Sequence, residues 1–479
     1  MSNSIGRLLI KEGLISDAQL AQARIKQKQT HGRLEDSLVA LGFLTPEQVK
    51  KILHPVPPIP LKIINTGLNE VFLCNLLLKI AFQEAGTFTL RQIARKISLP
   101  YSVLNELIEA LKADHQIAIL SATGYGRESQ IFELTQRGRE RAIAAMNVSL
   151  YASAAPVPLQ DYTRILAQQY VQQVQIDGDW MRKSLSHMVM SEKLLDQLGP
   201  AFSSGRAIFL YGPPGTGKSS VAEALGRALP DHIYIPQAVE VGGQVIRIFD
   251  PAIHFEVAEE EDDENMQLDI NANLKHDPRW IKCRRPVVMV GAEFTPDMLD
   301  MHWDEHSKFY EAPVQMKAAN GVFVLDDFGR QKMTPREILN RWIVPLERGT
   351  DFLSLHNGMK FEIPFDQINI FCTNLSPADL VDEAFLRRIR HKIKMSYSSI
   401  DEYKEILRRV CAMQSISFNE DVADYLVDTY YRKTGRALTG SHPRDLIDQI
   451  VDFSKYFRQS PTFTKATVDR IAANYFIEI

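Results

Sequence analysis

The sequence predicts a multidomain chain of α and α/β units: a helical N-terminal domain (1–54), a helix-and-hairpin domain (63–147), a parallel-sheet α/β core (161–398) and an all-α lid (399–479). Three observations carry that reading. A helical pattern repeats within the first block, apolar strands alternate with helices through the third, and only helical periodicity runs through the last. At 479 residues the chain has room for about three or four domains.

The composition is that of folded protein, with 45% apolar and 24% charged residues. A net charge of −4 excludes a general basic coat for nucleic acid but permits local basic patches. Cys74, Cys283, Cys372 and Cys411 stand far apart with no C-x-x-C pair, which suits reduced thiols rather than disulfides or zinc. No apolar run approaches the roughly 18 residues of a membrane span. The first residues carry no signal-peptide pattern, so the expected location is the cytoplasm.

In the first block, residues 5–15 (IGRLLIKEGLI) are echoed by 34–44 (LEDSLVALGFL). Each copy is a helix, a Gly stop and an apolar pair, followed by a capping residue, Ser16 or Thr45, that opens the next helix. Residues 54–60 (HPVPPIP) cannot continue a helix and predict a stiff linker, and 152–158 (ASAAPVP) predicts a second one.

The second block predicts helices over 70–84, up to Ile97 and over 101–114. Strands at 116–120 and 130–134 then flank a turn at Gly124-Tyr125-Gly126, and Thr135 caps a last helix. That order is a winged helix. The third block predicts sheet strands at 207–211, 232–235, 286–290, 322–325 and 368–372.

The strand at 207–211 runs into Gly212-Pro213-Pro214-Gly215-Thr216-Gly217-Lys218-Ser219, with Ser220 opening a helix. Such a loop wraps backbone N–H groups around phosphate at a helix N-terminus. Gly215 and Gly217 permit the tight backbone, Lys218 reaches the β- and γ-phosphates of ATP, and Ser219 offers its hydroxyl to Mg²⁺. The strand at 322–325 ends in Asp326-Asp327, delivering two carboxylates to the same sheet edge. Asp326 is expected to hold Mg²⁺ through water, and Asp327 to orient or activate the attacking water.

From these residues the chain resembles the AAA+ ATPases over roughly 200–479. The resemblance implies further roles. Asn374, ending 368–374 (INIFCTN), matches sensor 1 beside the γ-phosphate. Arg387 or Arg388 in 384–389 (AFLRRI) matches the arginine finger, a cation supplied across a subunit interface. Arg444 in 441–446 (SHPRDL) matches sensor 2, with Arg436 as competitor. An arginine finger implies a homo-oligomer, expected to be a hexamer. The second acid is Asp327 where most of the family has Glu, one methylene longer, so hydrolysis is expected to depend on an adjusted water position.

Residues 351–356 and 359–363 alternate around Asn357-Gly358, which predicts a type I′ hairpin. Its place before the sensor-1 strand resembles the pre-sensor-1 hairpin group, in particular MoxR- and McrB-like members. The interval from Lys218 to Asp326 is long for the family. It holds the acidic run 259–264 (EEEDDE), expected to be a solvated loop.

The first block also resembles the N-terminal domain of MshE-type secretion and pilus ATPases, some of which bind cyclic di-GMP through two 24-residue motifs. Gly6, Leu9, Gly13, Leu14, Leu20 and Gln27 match the first motif, and Arg33, Leu34, Leu38, Gly42 and Leu44 the second. Ser4 replaces an Arg and Glu35 a Gly, so the reading stays open between cyclic di-GMP binding and a docking module without ligand. In the winged helix the recognition-type helix offers Glu106, Glu109 and Asp114 against Lys112. Across 70–141, nine Lys/Arg face eight Asp/Glu, which is no footprint for DNA even with Arg91, Arg95, Lys96 and Arg127. The expected function is ATP-driven remodelling of a protein partner recruited by the N-terminal modules. A DNA-acting motor and a cyclic di-GMP-responsive switch are the alternatives.

Overall fold

The computed structural model describes residues 6, 9–10, 13–30, 34–45, 48, 56–122, 130–171, 174, 176–258, 274–380 and 386–476. Ser4, Arg33, the 124–127 turn, the acidic run 259–264 and residues 384–385 lie outside them. No helix among the described residues is long and apolar enough to cross a membrane.

The N-terminal repeat is a repeat in structure. Gly13 (φ 70°) and Gly42 (φ 72°) each end a helix in the left-handed region that glycine enters without steric cost. Leu14 N donates to Leu9 O and Phe43 N to Leu38 O, each at 2.9 Å. The caps match as well. Ser16 N reaches Gln19 Oε1 and Thr45 N reaches Gln48 Oε1, both at 2.8 Å. Leu9, Leu20, Leu34, Leu38 and Leu44 bury one small shared core.

The next unit packs helices Glu70–Gln83, Leu90–Ile97, Tyr101–Ala113 and Gln136–Val148 around an antiparallel sheet. The sheet runs Thr87–Thr89, Gln130–Leu134, Ile117–Ala122, so residues 87–89 add a strand to the expected hairpin. Thr135 accepts from Gly138 N at 3.1 Å and caps the last helix.

The expected linkers are not spacers. Ala154, Ala155 and Val157 are fully buried, and Val157–Pro158 pairs in parallel with Ala238–Val241. The core of the helix-and-hairpin unit runs on through Tyr151 and Ala155 into Ala238, Val245 and Phe309. Arg279 and Asp277, each 3% exposed, form a buried ion pair. The same guanidinium donates to Thr66 O at 2.9 Å and Pro156 O at 3.2 Å, while Asp277 N donates to Pro57 O. Small apolar residues in a proline-rich run signal a turn or linker locally. Here they are small because two units close over them.

The α/β core carries one five-stranded parallel sheet in the order Val287–Val290, Val322–Leu325, Ile368–Thr373, Ile208–Tyr211, His391–Lys394. Alternate residues face opposite layers, as strand geometry requires. Ile208, Leu210, Val322, Val324, Ile368 and Ile370 pack under Val221, Ala222 and Leu225 of the helix Lys218–Arg227. Phe209, Phe323, Leu325 and Phe371 pack with Ile338, Leu339 and Trp342 on the other face.

One expectation about this core is corrected. The strand at 232–235 is real but lies outside the parallel sheet, pairing antiparallel with Trp280–Arg284. Its place is taken by His391–Lys394, whose partner Ile208–Tyr211 needs an outer neighbour to satisfy its backbone. The long interval before Asp326 builds a second sheet, ordered His302–Asp304, Phe309–Glu311, Gln244–Arg247, Ala238–Val241, Val157–Pro158.

The hairpin Thr350–Ser354 with Lys360–Pro364 forms where expected, but its turn is not type I′. Gly358 has φ 83° while Asn357 is not on the positive side, and Gly358 N donates to Leu355 O and Leu355 N to Met359 O. That is a three-residue loop with one left-handed glycine. The tertiary cause is Tyr310, whose hydroxyl accepts from His356 N at 2.8 Å and holds the loop one residue earlier.

Helices Ile400–Met413, Glu420–Val427, His442–Tyr456 and Lys465–Tyr475 bury Tyr403, Leu407, Leu426, Ile447 and Ile471 in a separate core.

Candidate active site: a nucleotide cleft

A cleft of about 1230 Å³ opens at the C-terminal edge of the parallel sheet. Pro214, Gly215, Thr216, Gly217, Lys218, Ser219 and Ser220 line it from the glycine loop, and Asp326, Asp327, Asn374 and Arg444 from elsewhere. Chain crossover at the carboxyl ends of parallel strands makes that edge the natural binding crevice.

The loop holds its shape through residues without Cβ. Gly212 (φ 146°) lies so near Met395 that a Cβ would sit 2.0 Å from its carbonyl oxygen. Gly215 (φ 73°) lies against the C-terminal helical unit, where a Cβ would meet Thr439 Cγ2 at 2.1 Å and Ser441 Oγ at 3.0 Å. Gly212 and Pro213 do not face the cleft. Their carbonyls accept from Lys218 Nζ at 3.0 and 2.7 Å. Burial holds the Lys218 ammonium below the usual lysine range, against the pull of Asp326 and Asp327.

Ser219 Oγ donates to Asp326 Oδ1 at 2.8 Å, and the same oxygen accepts from Asp327 N at 2.9 Å. The pair is a hard oxygen donor set of the kind Mg²⁺ takes, with nucleotide phosphates and water completing the shell. No three His, Cys, Asp or Glu side chains form a metal cage among the described residues, and Mg²⁺ in such a site needs none. The residues present fit ATP and Mg²⁺. The ion would supply charge neutralisation at the phosphates.

Asp327 adopts φ +47°, a left-handed conformation costing a non-glycine residue about 1–3 kcal/mol unless its surroundings hold it. Its Oδ1 lies 3.5 Å from Asn374 Nδ2. The turn is bound to the strand Ile368–Thr373, since Phe328 N donates to Cys372 O at 2.7 Å and Thr373 Oγ1 to Phe328 O at 2.7 Å. Cys372 is buried beneath, and burial pushes its thiol well up, out of reach of reaction.

Residues 190–343 match the family described as AAA ATPase domain. This segment is an AAA ATPase domain. The activity of the chain is accordingly ATP hydrolysis. Residues 399–474 match a domain of unknown function, DUF8689. No curated protein matches the chain. Among solved structures, a Thermotoga maritima RuvB variant is 12% identical, with a TM-score of 0.35 over 62% of this chain and 74% of its own. Domain III of the Thermotoga maritima replication initiation protein DnaA is 10% identical, with a TM-score of 0.35 over 64% of this chain and 100% of its own. Likeness at that level carries no functional argument.

The cleft brings together every expected site residue except Gly212, Pro213 and the two finger candidates. Arg388 Nε donates to Glu347 Oε1 at 2.6 Å, and neither Arg387 nor Arg388 lines the cleft. Of the two sensor-2 candidates, Arg444 lines the cleft. Arg436 instead stacks its guanidinium 4.1 Å from the Phe476 ring centroid.

Some cleft residues escaped the sequence reading. Lys392, Lys394 and Met395 line the cleft from the His391–Lys394 edge strand and its end. The alternation His391-Lys392-Ile393-Lys394 was the available signal. Met188, Arg409 and Met413 close the far side, and no local pattern marks them.

Proposed function

We propose that the chain is a ring-forming AAA+ ATPase, a hexamer, that couples ATP turnover to remodelling of a protein partner. The observation that carries this is the split within the site. Lys218, Ser219, Asp326, Asp327, Asn374 and Arg444 converge within one chain, while Arg387 and Arg388 sit outside the cleft they would serve. A neighbouring copy then supplies the finger, and turnover becomes a property of the assembly. In this reading Lys218 holds the β- and γ-phosphates and Ser219 and Asp326 hold Mg²⁺. Asp327 and Asn374 orient the attacking water, and Arg444 reports the nucleotide to the lid.

The hairpin before Ile368–Thr373 supports placement with the pre-sensor-1 hairpin group, near MoxR- and McrB-like members. The paired helix–glycine–cap units support an MshE-type N-terminal docking domain, and the helix-and-hairpin unit supports a winged helix. The near-balance of charge over 70–141 favours a protein partner over DNA.

The test combines sedimentation with capture. Wild-type chain should assemble with ATP, and Asp327→Asn should hold ATP without turning it over and retain a protein partner. Lys218→Ala should abolish both binding and turnover. Full turnover by Lys218→Ala, or equal specific activity from dilute monomer and assembled protein, would overturn the reading.

A further inference from the structure

We propose that Gln331 is a positioning residue for ATP hydrolysis, holding Asp327 in its left-handed conformation so that the carboxylate faces the cleft beside Asn374. The inference rests on the reading of Asp327 as the acid that acts on water.

Asp327 is one methylene short of glutamate, so its reach is set by the backbone more than by side-chain torsions. The backbone does something unusual there. Its φ of +47° is a region that residues with a Cβ seldom enter unless neighbours hold them in it. Returning φ to the ordinary negative side would swing Cβ relative to the strand Val322–Leu325 and carry the carboxylate away from Asn374.

One side chain spans the whole turn. Gln331 Nε2 donates to Asp326 O at 2.8 Å and lies 3.2 Å from Asp327 O and 3.4 Å from Gly291 O. Its Oε1 accepts from Gly329 N at 2.8 Å. A single amide therefore engages the carbonyls of both peptide units flanking Asp327 and the N–H two residues on. Gln331 is 9% exposed, so these bonds are sheltered from competing water. It lines no part of the cleft and touches no substrate position. It therefore acts on the site only through the backbone of the Asp326–Asp327 turn.

The neighbouring bonds give the arrangement a fixed reference. Phe328 N to Cys372 O and Thr373 Oγ1 to Phe328 O tie the far side of the turn to the strand that ends at Asn374. With that side held, the amide of Gln331 decides how the near side closes.

Gln331→Met keeps length and volume and removes every one of these bonds. In the assembled full chain, kcat is expected to fall about 30-fold or more, as small misplacements of a reacting group do. KM for ATP and nucleotide affinity should stay within about twofold, because Lys218, Ser219 and Arg444 are untouched. In an Asp327→Asn background, Gln331→Met should change residual turnover no further, since the group it positions is already disabled. If Gln331→Met does not fold, Gln331→Glu, which keeps the acceptor for Gly329 N–H and loses the donor, should show the same kcat-only loss.

A folded Gln331→Met with kcat within twofold of wild type would overturn the proposal, as would full additivity with Asp327→Asn or a parallel loss of affinity and kcat. If Asp327→Asn itself turned over ATP normally, the reading of the site would fail instead.

Discussion

Ser219 Oγ donates to Asp326 Oδ1 at 2.8 Å, joining the glycine loop to the end of a strand 107 residues away in sequence. The contact sets two oxygens side by side in the cleft, where they would hold a divalent cation. Ser219→Ala and Asp326→Asn should each cut turnover roughly a hundredfold, with the loss partly recovered at high Mg²⁺ for the serine variant alone. Turnover measured across a Mg²⁺ titration checks this.

The placement of Arg387 and Arg388 predicts a test by mixing. At least one of Arg387→Ala and Arg388→Ala should bind ATP normally and lose about 10³-fold in turnover. Mixed with Lys218→Ala, that variant should recover activity, because intact fingers and intact loops then meet across interfaces. Absence of recovery over a range of ratios would count against supply from a neighbour.

Asp366 is buried, and burial raises its carboxyl from 3.8 to about 6, opposed by hydrogen bonds from Val171 N and Asn320 Nδ2 and by Arg285. The raised folded value means that the unfolded chain releases this proton first. Stability is therefore expected to fall as pH rises from about 4 to about 6, by at most about 3 kcal/mol from this group. Asp366→Asn should flatten that part of the profile and raise Tm at pH 8 more than at pH 5. Melting curves at both values decide it.

Arg279 and Asp277 form a buried pair that also holds Thr66 O and Pro156 O. Arg279→Met would leave a buried carboxylate without its cation and should cost about 3–5 kcal/mol. The damage should fall at the junction, so limited proteolysis should cut near 56–66 and 150–158 before the α/β core.

Where the signal is local, the sequence was enough. The glycine loop, Asp326-Asp327, Asn374 and the twin helix–glycine–cap units are each written in adjacent residues, because phosphate cradles, strand ends and caps are built from neighbours in the chain. Only the tertiary structure separates the two candidates, with Arg444 lining the cleft and Arg436 drawn off to Phe476. The edge strand His391–Lys394 was missed because a short, half-polar strand looks like a loop until its partner is known.

By itself, the sequence determined that this chain has a phosphate-binding loop, a paired-acid strand end and a helical repeat. Only the tertiary structure decided that residues 154–157 are a buried weld, that 232–236 leaves the main sheet, and that Asp327 turns into the left-handed region under Gln331. The physical reason is the range of the forces. Hydrogen bonding within a turn or cap is settled by nearby residues. Burial, strand partnership and a strained backbone depend on surfaces that the chain brings together from far apart.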